Sequence, residues 1–341
     1  MFDSFVYVIT VSLIMIGLSF LLTIISLLNI SNPPPNHKTF LDNAVWALSN
    51  FCRGSPKPSL SKVGMAIPYL HKLLQVSQGG TLVAASWTLA YLSEGGQDVI
   101  DAIVTDIGAI QMFVRSLSHE NIKIVTAMIR ILDNIFVDGS MEQARSAISS
   151  GVLKQVTHLL RNSSRSLRKE LCWLLSSVTG EREVWQNSSV NGQHEELISH
   201  FMQEPYMIES MLELISNGES DVKREASWVI LNVAHFGSDK DVERLVEAGS
   251  IKTLCDLIAI SDVKVILELI KVFDGMLMVG DKIGKDYVRL FYECGGIEKI
   301  EELQQHKNDD VYGETVMFLE KFFSTESHGE EDGDEYDENY W

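Results

Sequence analysis

The amino-acid sequence predicts an all-α solenoid of helical repeats, and three observations lead to this fold class. From Ala44 onward, Leu, Ile and Val recur at the helical positions i, i+3, i+4 and i+7, without convincing period-2 strands. Turn signals such as "GG", "NSS" and "NGES" separate the predicted helices. Six of these helices share one phrase, as in "AASWTLAYLSEG" and "REASWVILNVAHFG". Repeats of this kind stack on their neighbours in a line, so we expect a solenoid.

The spacing of the shared phrase indicates the kind of repeat. Its key position recurs after 41, 43, 43, 55 and 43 residues, at Trp46, Trp87, Arg130, Trp173, Trp228 and Lys271. A period of about 40–47 residues is typical of armadillo and HEAT repeats. The longer interval predicts an insertion of about a dozen residues near 183–205, because solenoids tolerate extra length between repeats. We therefore expect the solenoid to span residues 37–325.

A second shared phrase predicts the helix that precedes the first one in each repeat. It begins with glycine, as in "GVLKQVTHLLRNSS" and "GSIKTLCDLIAISD". The glycine is expected to end one helix, and the apolar residues after it form the inward face of the next.

Residues 1–36 differ from the rest of the chain. Ser4–Ile30 contains no charged residue and is long enough to span a bilayer, and "NPPPN" then breaks any helix. A signal peptide is disfavoured, because the segment has Asp3 at its start and no clear cleavage site. Three interpretations stay open: a membrane span, the apolar helices of a truncated repeat, or a mis-assigned start of the reading frame.

Composition and motifs exclude several classes of function. The net charge of −19 repels nucleic-acid phosphates and favours basic partners. Four scattered cysteines and nine histidines show no metal-like spacing, so no metal, cofactor or disulfide framework is expected. The chain lacks the P-loop, G-x-S-x-G and H-E-x-x-H motifs, which argues against an enzyme. The acidic residues 326–341 are predicted to form a disordered tail.

The tryptophans recur together with a polar residue four positions later. Trp46 pairs with Asn50, and Trp228 pairs with Asn232, so each pair shares one helix face. A row of tryptophans on the groove side of a solenoid forms slots for the stem and cationic head of Lys or Arg. An asparagine amide can hold both edges of an extended peptide backbone. The alternative is that the tryptophans fill the core; a buried asparagine would then need hydrogen-bond partners, so we favour a peptide groove.

The phrases "WALSNFCRGSPKP", "CWLLSSVTG" and "ASWVILNVAHFG" resemble importin-α (karyopherin-α), the adapter that binds nuclear localisation signals. The resemblance covers residues 43–323 and the fourth to tenth repeats of the family. It implies a right-handed superhelical armadillo-repeat solenoid, a function in protein import into the nucleus, and a location in cytoplasm and nucleus. The family's first three repeats have no counterpart. Residues 1–40 contain one Lys and no Arg, so they lack the basic importin-β-binding segment, which argues against importin-β binding.

The resemblance also implies the residues that bind basic nuclear-localisation peptides. In the family's larger site the matching residues are Asn43, Trp46, Asn50, Trp87 and Tyr91. In its smaller site they are Arg130, Asn134, Glu170, Trp173, Ser177, Glu225, Trp228 and Asn232. Ser177 replaces an asparagine and Ser140 stands where an acidic residue is expected, so we expect weaker binding of basic peptides than in a typical member.

Further partners follow from the resemblance, and alternatives stay open. The family's tenth repeat contributes to binding the export receptor, so residues 309–323 are an expected partner surface; a helix that merely caps the solenoid would show the same pattern. A membrane-tethered armadillo scaffold and a truncated, transport-incompetent importin-α are the alternatives to a nuclear import adapter.

Overall fold

The computed structural model describes residues 37–105, 107–180, 193–260 and 262–323. Within these ranges the regular structure is helical and contains no strand, which confirms the predicted all-α armadillo solenoid. The predicted apolar segment 1–36 and the predicted acidic tail 326–341 lie outside the described residues.

In the part of the chain that the structure describes, one helix is followed by six groups of three helices. The first helix is α1 (His37–Arg53). The next nine are α2 (Leu60–Val63), α3 (Ile67–Val76), α4 (Gly79–Ser93), α5 (Gln97–Ile103), α6 (Ile107–Ser116), α7 (Ile122–Asp138), α8 (Met141–Ser149), α9 (Val152–Asn162) and α10 (Arg165–Thr179). The remaining nine are α11 (Gln193–Gln203), α12 (Met207–Asn217), α13 (Ser220–Phe236), α14 (Asp239–Glu247), α15 (Ser250–Leu257), α16 (Val263–Ile283), α17 (Tyr287–Glu293), α18 (Gly296–Glu302) and α19 (Asp309–Phe323). Short 3₁₀ helices occupy Gly64–Ala66, Ile258–Ile260 and Leu303–Gln305. The third helix of each group is the longest. The shared phrase lies on α1 and on the third helices α4, α7, α10, α13 and α16.

The chain divides into two compact units, residues 1–241 and 242–341. In the first unit, α1 packs against α4, α4 against α7, α7 against α10, and α10 against α13. We call these five helices the third-helix row. Leu48, Leu132 and Leu175, on three of them, are almost completely buried. Burial between successive third helices therefore builds a continuous apolar core along this unit.

The second unit has a core of its own, formed where α16 packs against α17 and α19. Its centre is the buried ring of Phe291, which lies 4.9 Å from the ring of Phe273 and 5.7 Å from that of Phe318, centroid to centroid. Both contacts are edge-to-face, an arrangement that aromatic pairs favour.

Glycine forms the turn between the first and second helices of a repeat, as the sequence predicts. Gly151 precedes α9 with φ +87°, and Gly249 precedes α15 with φ +90°. Only glycine adopts this left-handed backbone without a steric penalty. The recurrence of glycine at the start of the second phrase therefore has a conformational cause.

The predicted insertion near 183–205 extends too far toward the carboxyl end. Its last part forms helix α11, which packs against α8, α10 and α13 as the first helix of a repeat. Leu197, Ile198 and Phe201 on this helix are fully buried. The interval between two motifs does not show on which side of the next helix the extra residues lie. Residues 183–192 lie outside the described ranges.

Three of the four cysteines are buried in the helical core. Burial raises the pKa of Cys52, Cys172 and Cys255 to about 12, so their thiols stay protonated at neutral pH. Cys294 is half-buried, and desolvation raises its pKa as well. These side chains behave as small apolar groups.

None of the helices described between residues 37 and 323 is long and apolar enough to cross a membrane. The candidate span, residues 4–30, lies outside the described residues.

The aromatic core of the second unit makes Gly296 a sensitive position. A Cβ atom added there would come within 2.5 Å of the Phe291 ring, which its aromatic neighbours hold in place. We expect Gly296→Ala to lower the free energy of unfolding by about 1–3 kcal/mol through overpacking. Urea denaturation followed by circular dichroism measures the change.

Gly313→Ala is the matched control, because it makes the same substitution inside α19. No atom lies within 4 Å of the added Cβ, so we expect unchanged or slightly raised stability. Equal destabilisation by the two substitutions would contradict the packing argument.

Candidate functional site

The exposed face of the third-helix row carries the predicted tryptophans, but it presents them unequally. Trp46 on α1 and Trp173 on α10 expose 64% and 52% of their surface. Trp87 on α4 and Trp228 on α13 are half-buried. Two tryptophans therefore offer an open aromatic face to a ligand, while the other two are partly covered by the protein itself.

Trp87 and Tyr91 on α4 are covered by the chain's own cations. The two rings lie 5.4 Å apart, centroid to centroid. The guanidinium carbon of Arg130 lies 5.3 Å from the Trp87 ring, and the amine of Lys57 lies 5.5 Å from the Tyr91 ring. These distances are within the range of cation–π attraction, which is the interaction predicted for a ligand.

Arg130 and Glu170 form a bidentate pair between α7 and α10. Arg130 Nε donates to Glu170 Oε2 at 3.2 Å, and Nη2 donates to Oε1 at 2.9 Å. Hydrogen bonding to Glu170 raises the pKa of Arg130, so the arginine stays charged. The predicted groove acid Glu170 is thus already engaged by a cation of the chain.

A pocket of about 260 Å³ opens between α4, α7 and α10. It is lined by Glu94, Ile129, Arg130, Asp133, Asn134, Glu170 and Trp173. Three carboxylates and one guanidinium give it an acidic character, and the exposed ring of Trp173 forms one wall. This combination suits the cationic head and aliphatic stem of a lysine or arginine.

Sequence reasoning missed two of the three acids in this pocket. Glu94 and Asp133 each come three residues, or about one helical turn, after a predicted site residue, Tyr91 and Arg130 respectively. A search for acids one turn beyond each key position would have found them. Glu170, the third acid, lies one turn before Trp173 and is implied by the resemblance.

Two predicted peptide-binding asparagines also connect successive repeats. Asn134 Nδ2 on α7 donates to Ser93 Oγ on α4 at 2.8 Å. Asn232 Nδ2 on α13 donates to the Ser176 carbonyl on α10 at 3.1 Å. Asn50 Nδ2, by contrast, donates within its own helix, to the Trp46 carbonyl at 3.0 Å. The partners that a half-buried asparagine needs are therefore present at Asn134 and Asn232.

The remaining predicted residues lie on the same helices with different exposure. Asn43 on α1 is exposed, and Ser177 on α10 is half-buried. The Glu225 side chain on α13 is only 13% exposed and accepts from Arg224 at 3.2 Å. Ser140 caps the start of α8, because its Oγ accepts a hydrogen bond from the backbone N–H of Gln143. Its side chain thus stabilises a helix end.

Among the residues described in the structure, no group of His, Cys, Asp or Glu has a geometry that could hold a metal ion.

The known proteins to which the chain is similar are armadillo-repeat proteins and importin-alpha subunits. A family model described as "Atypical Arm repeat" matches residues 285–337. Importin subunit alpha-3 of Arabidopsis thaliana is 32% identical over 306 residues, which are 87% of this chain and 55% of that protein. Importin subunit alpha-1b of Oryza sativa subsp. japonica is 32% identical over 296 residues, which are 84% of this chain and 53% of that protein. The chain thus spans about half the length of the curated relatives that it matches.

The solved structures that resemble the chain show the same fold. A designed armadillo repeat protein in complex with the peptide (KR)4 has a TM-score of 0.61 at 22% identity, and the match covers 75% of this chain and 99% of that one. Computationally designed armadillo repeat proteins for modular peptide recognition give a TM-score of 0.60 at 20% identity, covering 76% of this chain and 99% of that one.

The bond from Asn232 across two repeats predicts a structural effect of its removal. We expect Asn232→Ala to lower the free energy of unfolding by about 1 kcal/mol, because the Ser176 carbonyl loses a partner between helices. Thermal and urea denaturation measure the loss.

Asn50→Ala serves as the comparison, since the Asn50 side chain is exposed and bonds within its own helix. It should change stability by less than about 0.5 kcal/mol. A loss at Asn50 as large as that at Asn232 would show that the bond between repeats has no special weight.

Proposed function

The chain is homologous to the importin-α subunits over most of its length, and on that premise we propose that it binds Lys- and Arg-rich peptides along the exposed face of its third-helix row. The peptides would be nuclear localisation signals in extended form, and the protein would act as a nuclear import adapter. The observation that supports this most directly is the acidic pocket between α4, α7 and α10, with Trp173 as its wall.

The chemistry of the pocket is that of a receptor for one long cationic side chain. The aliphatic stem of a ligand lysine would lie along the exposed Trp173 ring, with its ammonium directed toward Glu94 and Asp133. Cation–π and charge-assisted contacts of this kind contribute about 0.5–2 kcal/mol each. The net charge of −19 would also attract basic peptides over distance at low salt.

Trp46 on α1 offers a second exposed aromatic face in the same row, with Asn43 exposed one turn earlier. We propose that these residues, with Asn50, contact another part of the same basic peptide. A peptide that meets both exposed tryptophans would gain from two contacts on one chain.

The proposed function also includes the class of protein, its location and a second partner. Like the importin-α subunits and armadillo scaffolds that it resembles, the chain is a binding protein rather than an enzyme. We propose that it works in cytoplasm and nucleus, and that α19 contacts an export receptor. The membrane-tethered alternative depends on residues 4–30, which lie outside the described residues.

A peptide titration tests the proposed function. The peptide (KR)4 is present in the solved structure of a designed armadillo repeat protein. We expect isothermal titration calorimetry to show that this peptide binds the chain, with an affinity that falls as the salt concentration rises. Trp173→Ala should weaken binding by about tenfold, because the stem and cation lose their aromatic wall. Circular dichroism checks that the variant is folded.

Tyr292→Ala is the control, since Tyr292 is an exposed aromatic residue on α17 of the second unit and does not belong to the third-helix row. It should leave the affinity unchanged. Absence of binding by the unmodified chain, or equal affinity of the Trp173→Ala variant, would contradict the proposed function.

Ser177 stands four residues after Trp173, where the resemblance implies an asparagine. We expect Ser177→Asn to raise the affinity for (KR)4 about two- to fivefold, because one more amide becomes available to the peptide backbone. The exposed Ser149 on α8 offers a matched control, Ser149→Asn, which should have no effect. If Ser177→Asn leaves the affinity unchanged, the missing amide does not weaken the groove.

A further inference from the structure

Lys57 contacts the same two kinds of group that a ligand lysine would seek. It lies in the segment between α1 and α2, and its amine is 2.5 Å from Glu94 Oε2. The amine also lies 5.5 Å from the centre of the Tyr91 ring. Tyr91 is a predicted peptide-binding residue, and Glu94 lines the acidic pocket. An acid and an aromatic face thus receive a cation that belongs to the chain itself.

We propose that Lys57 is an internal competitor for the peptide, seated in a position that a ligand lysine takes when it binds. This inference rests on the proposed function, because it concerns the same groove. The ligand class is an extended peptide with several lysines or arginines, one of which displaces the Lys57 amine from Glu94 and Tyr91.

The exposure of the pair allows such an exchange. The side chains of Lys57 and Glu94 are 27% and 36% exposed, so a ligand can approach both from solvent. Ion pairs of this exposure are weak, since water and salt screen them. Lys57 nevertheless competes effectively because the chain tethers it next to Glu94, which gives it a high effective concentration.

Occupation by Lys57 changes the charge that the pocket presents. Glu94 is paired with Lys57, and Glu170 is paired with Arg130. Two of the acids that line the pocket are thus each paired with a cation of the chain, and the pocket is less acidic while Lys57 is in place. A peptide with one basic residue gains little there, whereas a peptide with several can displace Lys57 and make further contacts. Lys57 thereby favours clustered basic residues over isolated ones.

Removal of Lys57 tests the inference. We expect Lys57→Ala to raise the affinity for (KR)4 about two- to fivefold at low salt, because Glu94 and Tyr91 become available to the peptide. The gain should disappear near 1 M salt. Lys57→Gln keeps most of the side chain without the charge and should show the same gain, which guards against a folding defect in the alanine variant. Lys57→Arg keeps the cation and should bind as the unmodified chain does.

Lys285→Ala controls for the loss of one positive charge. Lys285 also bridges carboxylates, with its amine 2.7 Å from Glu243 and 2.9 Å from Glu247, but it lies in the second unit. A gain in Lys57→Ala and Lys57→Gln that exceeds the gain in Lys285→Ala supports the inference. Equal gains in all three variants, or no gain or a loss in the Lys57 variants, would overturn it.

The result is separable from the proposed function. If (KR)4 binds in a manner that depends on Trp173, the proposed function holds even when the Lys57 variants show no gain. If (KR)4 binds neither the unmodified chain nor the Lys57 variants, the proposed function itself fails, and the inference fails with it.

Discussion

The structure of the first unit depends on the packing of each third helix against the third helices before and after it. No repeat of three short helices can bury its apolar surface alone, so α4, α7 and α10 each need two neighbours. This burial leaves one face of every third helix uncovered. The uncovered faces form a row, and the chemistry of the protein is the chemistry of the side chains that the row exposes.

The charges of this face are largely satisfied within the chain. Arg130 pairs with Glu170, and Lys57 pairs with Glu94. In addition, the neutral Asn232 amide donates to the Ser176 carbonyl. Each contact joins two successive repeats, or a repeat and the segment before it. It therefore stabilises the stack of repeats and also occupies side chains on the exposed face of the third-helix row. A basic peptide would meet a surface on which internal cations already hold part of the acidic charge. The selectivity that we propose for several basic residues in one peptide would follow from that competition.

The importin-α relatives and the acidic pocket both favour a protein that binds basic peptides. The relatives match most of this chain, and the chain spans about half of their length. The acidic pocket lies among α4, α7 and α10, which the described residues contain in full. The pocket that supports the proposed function is therefore formed entirely by described residues.

The sequence alone determined the fold class, the repeat period, the glycine turns and the helices that carry the groove, because these depend on local periodicity and backbone conformation. It also identified Trp46 and Trp173, which the structure exposes. It did not show that α11 begins a repeat, nor that Glu94 and Asp133 share a pocket with Trp173. Only the tertiary structure decided which cation sits on which ring and which acid is already paired. Those contacts join residues about 40 positions apart, and periodicity within one helix carries no information about them.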